Sequence, residues 1–244
     1  VSYPFVNSST LQTFTGETGN FDYTTAWSLG SGNTLVVAYT YVDTAGNNYN
    51  PASFYDNAES DYMTTDVQYN WAFQFTLGFY SVVGTASGTH DITINPGNTS
   101  PNVNMYLMAF ELQGLCPFDY LLGSNSQTSN TAHPSLTGAA PTGAQNDVQF
   151  NVCQLTITGN NPGSYPAVAG YTGLAVSTGG SSYPPSGFCY AVSSSAAGTV
   201  AWGDQASPDW FGNILAGYKA PALPAARPRG VKKRSIVVPV AIHR

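Results

Sequence analysis

The chain has 244 residues, of which 42% are hydrophobic and only 8% charged, enough apolar material for a large core but far fewer charges than the roughly one quarter usual in soluble domains. All seven Lys and Arg residues lie in Lys219–Arg244 and all thirteen Asp and Glu residues precede them, so the net −6 divides into −13 on a long body and +7 on a short arm. A body without a cation excludes polyanions and anionic membranes as partners of residues 1–218, and no apolar run approaches the roughly 18 residues of a membrane-spanning helix.

Periodicity predicts strands throughout. Phe21–Leu29 and Asn33–Asp43 come first, the second rich in β-branched and aromatic residues (Thr34-Leu35-Val36-Val37-Ala38-Tyr39-Thr40-Tyr41-Val42). Asp43-Thr44-Ala45-Gly46-Asn47-Asn48 reads as a hairpin turn. Trp71–Phe79 alternates large apolar residues at odd positions with small or polar ones at even positions, which predicts one strand with a single buried face. His90–Ile94 is short and stops at Asn95-Pro96-Gly97. Val103–Leu112 is nearly continuous apolar, as expected of a central strand covered on both sides. Leu122–Ala144 reads as a loop. In Asp147–Thr158 the apolar positions change from even to odd, which predicts a bulge near Val152–Cys153. Gly187–Ser193, Thr199–Trp202 and Asn213–Tyr218 complete the set. No segment has a sustained helical period, so the fold expected is all-β: a single jelly-roll-like β-sandwich over residues 1–218 with an extended C-terminal arm, 219–244.

The order of several short motifs resembles that of β-sandwich structural proteins associated with phages and bacterial surfaces. They are Tyr3-Pro4-Phe5-Val6-Asn7, Gly32-Asn33-Thr34-Leu35-Val36-Val37, Asp43-Thr44-Ala45-Gly46-Asn47-Asn48-Tyr49, Gly88-Thr89-His90-Asp91-Ile92-Thr93-Ile94 and Ala109-Phe110-Glu111-Leu112-Gln113-Gly114. The resemblance implies a non-catalytic module of a virion surface or an extracellular structure, and it transfers no functional residue.

Candidate chemistry is sparse. Asp56, Glu59 and Asp61, with Asp66 nearby, are clustered carboxylates that could offer oxygen ligands to calcium, although their spacing fits no EF-hand. His90, His133 and His243 lie in no nucleophile motif, and no carboxylate pair suited to hydrolysis stands out. The expectation is therefore a non-enzyme without a required cofactor. Tyr165, Tyr171, Tyr183, Trp202 and Trp210 lie in or beside Gly/Pro/Ser-rich segments, where rings could stack on sugars. Cys116, Cys153 and Cys189 permit one disulfide at most and read as buried free thiols.

The arm combines three kinds of sequence. Pro-rich Ala220–Pro228 supplies reach, Lys232, Lys233 and Arg234 supply positive charge, and Ile236, Val238, Val240 and Ile242 alternate as in a strand. This combination suits β-strand addition to an acidic neighbour, whether another copy or a companion subunit. The function expected is structural, on a virion surface or outside the cell. The alternative is a carbohydrate-binding or adhesin module.

Overall fold

The computed structural model describes residues 4–43, 51–71, 75–97, 103–131, 135–137, 147–155, 171–176, 186–193, 199–201 and 209–221. Among these the protein is all-β, with no helix and with every strand pairing antiparallel. Seventeen strands appear. The first ten are β1 (Phe5–Ser8), β2 (Gln12–Glu17), β3 (Phe21–Thr24), β4 (Thr34–Asp43), β5 (Ser53–Asp56), β6 (Asp61–Tyr62), β7 (Thr64–Trp71), β8 (Phe75–Val83), β9 (Asp91–Asn95) and β10 (Val103–Leu112). The remainder are β11 (Phe118–Thr131), β12 (Ser135–Thr137), β13 (Asp147–Leu155), β14 (Thr172–Val176), β15 (Ser186–Ser193), β16 (Thr199–Ala201) and β17 (Asp209–Tyr218).

A central sheet has the order β1-β10-β4-β8-β7, with β2 also pairing β10. One outer sheet, β3-β9-β5-β6, also comes from the first half of the chain; the other, β11-β17-β13-β15-β14, comes from the second, together with the small pair β12-β16. The central sheet is apolar on both faces. Leu35, Val37, Tyr39, Tyr41, Met105 and Leu107 pack with Phe21, Phe54, Ile92 and Ile94 of the N-terminal outer sheet. Their neighbours Val36, Ala38, Met108, Phe110, Leu77 and Phe79 pack with Phe150, Phe188, Ile214 and Tyr218 of the C-terminal outer sheet. Aromatic stacks join the layers on each side, Phe54 on Tyr80 at 4.2 Å and Phe110 on Phe150 at 4.5 Å between ring centroids. A two-sheet sandwich thus accounts for only one of the two cores. Burial at every position of β10 follows from its place between both.

Three local expectations are corrected by this layering. Trp71–Phe79 is not one strand: Trp71 ends β7 and pairs with Phe75 at the start of β8, so the apolar alternation runs across a hairpin. Its odd residues Phe75, Leu77 and Phe79 do share one core, but Tyr80 lies in the other and both faces are buried. The turn expected at Asp43–Asn48 lies mostly outside the described residues, and the strands flanking it do not form a hairpin, because β4 belongs to the central sheet and β5 to an outer one. The bulge expected at Val152–Cys153 is absent. The register of β13 is unbroken against both β15 and β17. Its even residues face the central core, while Gln149, Asn151 and Cys153 on the odd face are buried too. That second face is polar: the Asn151 amide donates to Asn213 Oδ1 at 2.6 Å and to the Ile214 carbonyl at 2.7 Å. A strand wetted by amides and covered on both sides shows no single apolar phase.

The predicted loop Leu122–Ala144 begins as strand, since β11 continues to Thr131 along β17 and β12 follows it. Pairing register slips three times along β11, which matches its Gly/Ser/Asn-rich sequence and the lack of an apolar repeat to pin it. No helix among the described residues is long and apolar enough to cross a membrane.

Candidate functional site

The exposed chemistry of the described body concentrates on the outer face of the β3-β9-β5-β6 sheet. Strand alternation creates it: Phe21 and Tyr23 point inward while Asp22 and Thr24 point out. Ile92 and Ile94 are likewise buried between the less buried Asp91, Thr93 and Asn95. Register aligns Asp22 with Thr93, Thr93 with Tyr55 and Tyr55 with Tyr62, giving one row across four strands. Thr93 Oγ1 donates to Asp22 Oδ1 at 2.7 Å and Thr24 Oγ1 donates to Asp91 Oδ1 at 2.8 Å. Tyr55 and Tyr62 meet edge to face at 5.1 Å, and Tyr62 is 65% exposed. These carboxylates are held by hydroxyls rather than cations; among the described residues every ion pair involves His90.

At one end of the same sheet the inward parity delivers a second group. Asp56 follows Phe54 on the buried side of β5, and His90 precedes Ile92 on the buried side of β9, so both side chains are fully enclosed. His90 Nδ1 and Asp56 Oδ2 are 2.6 Å apart. The other ring nitrogen, Nε2, lies 3.2 Å from the Ala86 carbonyl and 3.8 Å from Glu59 Oε1. A carbonyl only accepts, so Nε2 carries a proton in this arrangement. The Ala86 N–H donates to Glu59 Oε1 at 2.5 Å, and the Ala58 N–H donates to Asp56 Oδ1 at 3.0 Å, shaping the turn after β5. Thr25 fixes the backbone: its N–H donates to the His90 carbonyl and its hydroxyl accepts the His90 N–H at 2.9 Å.

The three carboxylates proposed for calcium therefore separate. Asp56 and Glu59 converge with His90, whereas Asp61 is exposed and its Oδ1 accepts its neighbour's Tyr62 N–H at 2.7 Å. Asp66 stands elsewhere, on β7. The sequence missed His90 as a partner because the pairing spans two strands far apart in the chain; its shared parity with Ile92 was the available signal. Glu59, Asp61 and Tyr62 border a surface cavity of about 360 Å³ with Thr64, Ser81 and Val83.

Other candidates are placed as follows. Tyr171 is partly buried and donates its hydroxyl to Gln149 Oε1 at 2.7 Å, so it is a packing residue rather than an open platform. Trp210 lies in β17, with only its backbone described, and Tyr165, Tyr183 and Trp202 lie outside the described residues, as do Lys232, Lys233, Arg234, Ile236, Val238, Val240 and Ile242. Glu111, buried in β10, accepts from the Trp27 indole at 2.8 Å, the Gly30 N–H at 2.7 Å and the Asn33 amide at 2.6 Å. It is a structural carboxylate. All three cysteines are buried and free. Burial pushes the Cys116 thiol up to about 12 and raises Cys153 and Cys189 as well, which suppresses the thiolate needed for nucleophilic attack.

Fold and surface together define a layered antiparallel all-β protein with an acidic, tyrosine-bearing outer sheet. Comparison with protein-family models, curated proteins and solved structures finds no match.

Proposed function

We propose that this is a non-enzymatic structural subunit of a virion surface or extracellular assembly, in which the C-terminal arm of one copy docks on the body of the next. The observation that carries this reading is the complete division of charge: exposed carboxylates such as Asp22 and Asp61 without a Lys or Arg in residues 1–218, and every cation in 219–244. The outer sheet supplies a suitable receptor. Its edge strand β3 exposes Asp22 and Thr24, so a strand from the arm (Ile236, Val238, Val240, Ile242) added beside it would bring Lys232, Lys233 and Arg234 over carboxylates. Tyr55 and Tyr62 offer ring faces to the same cations. Deleting residues 222–244 should leave the far-ultraviolet spectrum of the body unchanged and abolish assembly in light scattering. Retention of assembly after that deletion would sink the reading.

A second reading, carbohydrate binding, is favoured by one feature. The exposed Tyr62 ring stands at the rim of the 360 Å³ cavity beside Asp61 and Glu59, the pairing of a flat apolar face with polar groups that sugars require. A glycan array with the native chain and with Tyr62→Ala separates the two, since an assembly role predicts no array signal for either.

A further inference from the structure

Independently of the assembly role, we propose that His90, Glu59 and the Ala86 carbonyl bind one divalent transition-metal ion of the zinc class, with Asp56 orienting the imidazole. The argument starts from Nδ1. Its 2.6 Å contact with the buried Asp56 carboxylate fixes the ring plane and points Nε2 toward Glu59. A carboxylate behind a ligating histidine is the usual outer-shell arrangement of zinc sites, where it holds the tautomer and raises ligand basicity.

The separations fit an ion. Zinc–nitrogen and zinc–oxygen bonds of about 2.1 Å place two ligand atoms roughly 3.4 Å apart at a tetrahedral angle, and no more than about 4.2 Å apart in line. Nε2 lies 3.8 Å from Glu59 Oε1 and 3.2 Å from the Ala86 oxygen, so both separations fall near the tetrahedral value. Glu59 and Ala86 border solvent, and water can complete the coordination. Binding replaces the Nε2 proton, which leaves to solvent, one per ion. The Ala86 N–H keeps its bond to the Glu59 carboxylate or yields it as the carboxylate turns.

The donor set also selects against calcium. The imidazole nitrogen suits a borderline ion, and the two oxygen donors fall far short of the six to eight that calcium takes. Asp61 does not join the group: among the described residues only Asp56 and Glu59 converge with His90.

The test is calorimetric titration of the metal-free full chain with Zn²⁺, alongside Co²⁺ followed by its visible absorption. One ion per chain is expected. Glu59→Gln should weaken binding at least tenfold, while Asp61→Asn leaves it unchanged. Glu59 is partly exposed, so its variant stays folded where His90→Gln or Asp56→Asn do not. In proton–nitrogen correlation spectra Zn²⁺ should remove the His90 Nε2–H signal. No saturable binding of either ion leaves a hydrogen-bonded clamp and overturns the proposal. Binding that survives Glu59→Gln, and so belongs to other histidines or thiols, overturns it equally.

Discussion

Asp66 occupies the point where the register of β7 slips between Thr65 and Val67. There its carboxyl accepts the Tyr218 hydroxyl at 2.5 Å and the Ser81 hydroxyl at 3.0 Å, tying the central sheet to the C-terminal outer one. Burial pushes this carboxyl up to about 6 from the ordinary 3.8, against the pull of the two donors. The folded state then binds more protons than the unfolded state between those values, so stability declines as pH rises from about 4 to about 6. The decline from this group is about 2 kcal/mol. Asp66→Asn should flatten it, and urea unfolding at pH 4, 5, 6 and 7 will read the difference. Glu111 makes the opposite case. Glu111→Ala strands three donors, two of them side chains from the Trp27–Asn33 segment, and should lower unfolding free energy by about 3 kcal/mol in the same assay. Glu111 stood out in the sequence as a charge among apolar residues, whereas Asp66 read only as the last of the clustered carboxylates. Their partners did not stand out, because Tyr218 and Trp27 lie 152 and 84 positions away.

At the scale of elements, close approach between strands decides what is tolerated. Gly78 in β8 faces Tyr39 of β4, and a Cβ there would overlap the tyrosine ring. Gly78→Val should therefore cost about 2–3 kcal/mol, visible as a lowered thermal midpoint with secondary structure intact. Strands that face two cores were readable as strands but not as to their layer. Thr34–Val42 and Val103–Leu112 carry apolar side chains in both phases, and that double phase is the mark of the central sheet. Trp71–Phe79 misled because the two sides of a hairpin happened to continue one alternation. Asp147–Leu155 misled because its second face is lined with buried amides, which no apolar period can report. Phe118–Thr131 was invisible as a strand. Its Ser/Thr/Asn side chains carry no alternation, and its backbone pairing with β17 is what makes it one.

At the scale of the whole molecule, the all-β class was legible from turn chemistry and strand periods, and the division of charge was complete in the composition. The His90–Asp56–Glu59 grouping was not, since it depends on how two distant strands register. Assembly driven by the basic arm should weaken steeply with salt, because exposed charges farther apart than about 8 Å are screened at physiological ionic strength. Light scattering of the full chain from low to high sodium chloride checks this, and a flat response would argue for apolar docking instead. The layering has a further consequence for biogenesis. All strands of the central and N-terminal outer sheets are complete by Leu112, while every strand of the other outer sheet follows Phe118. A ribosome-bound chain can thus close its first two layers early, yet Leu77, Phe79, Met108 and Phe110 lack their full cover until β13, β15 and β17, which pairs both β11 and β13, have all emerged. A fragment ending at residue 117 should accordingly bind anilinonaphthalene sulfonate and aggregate where the full chain does neither. Vectorial synthesis makes β17, the last strand among the described residues, the one that completes the second core.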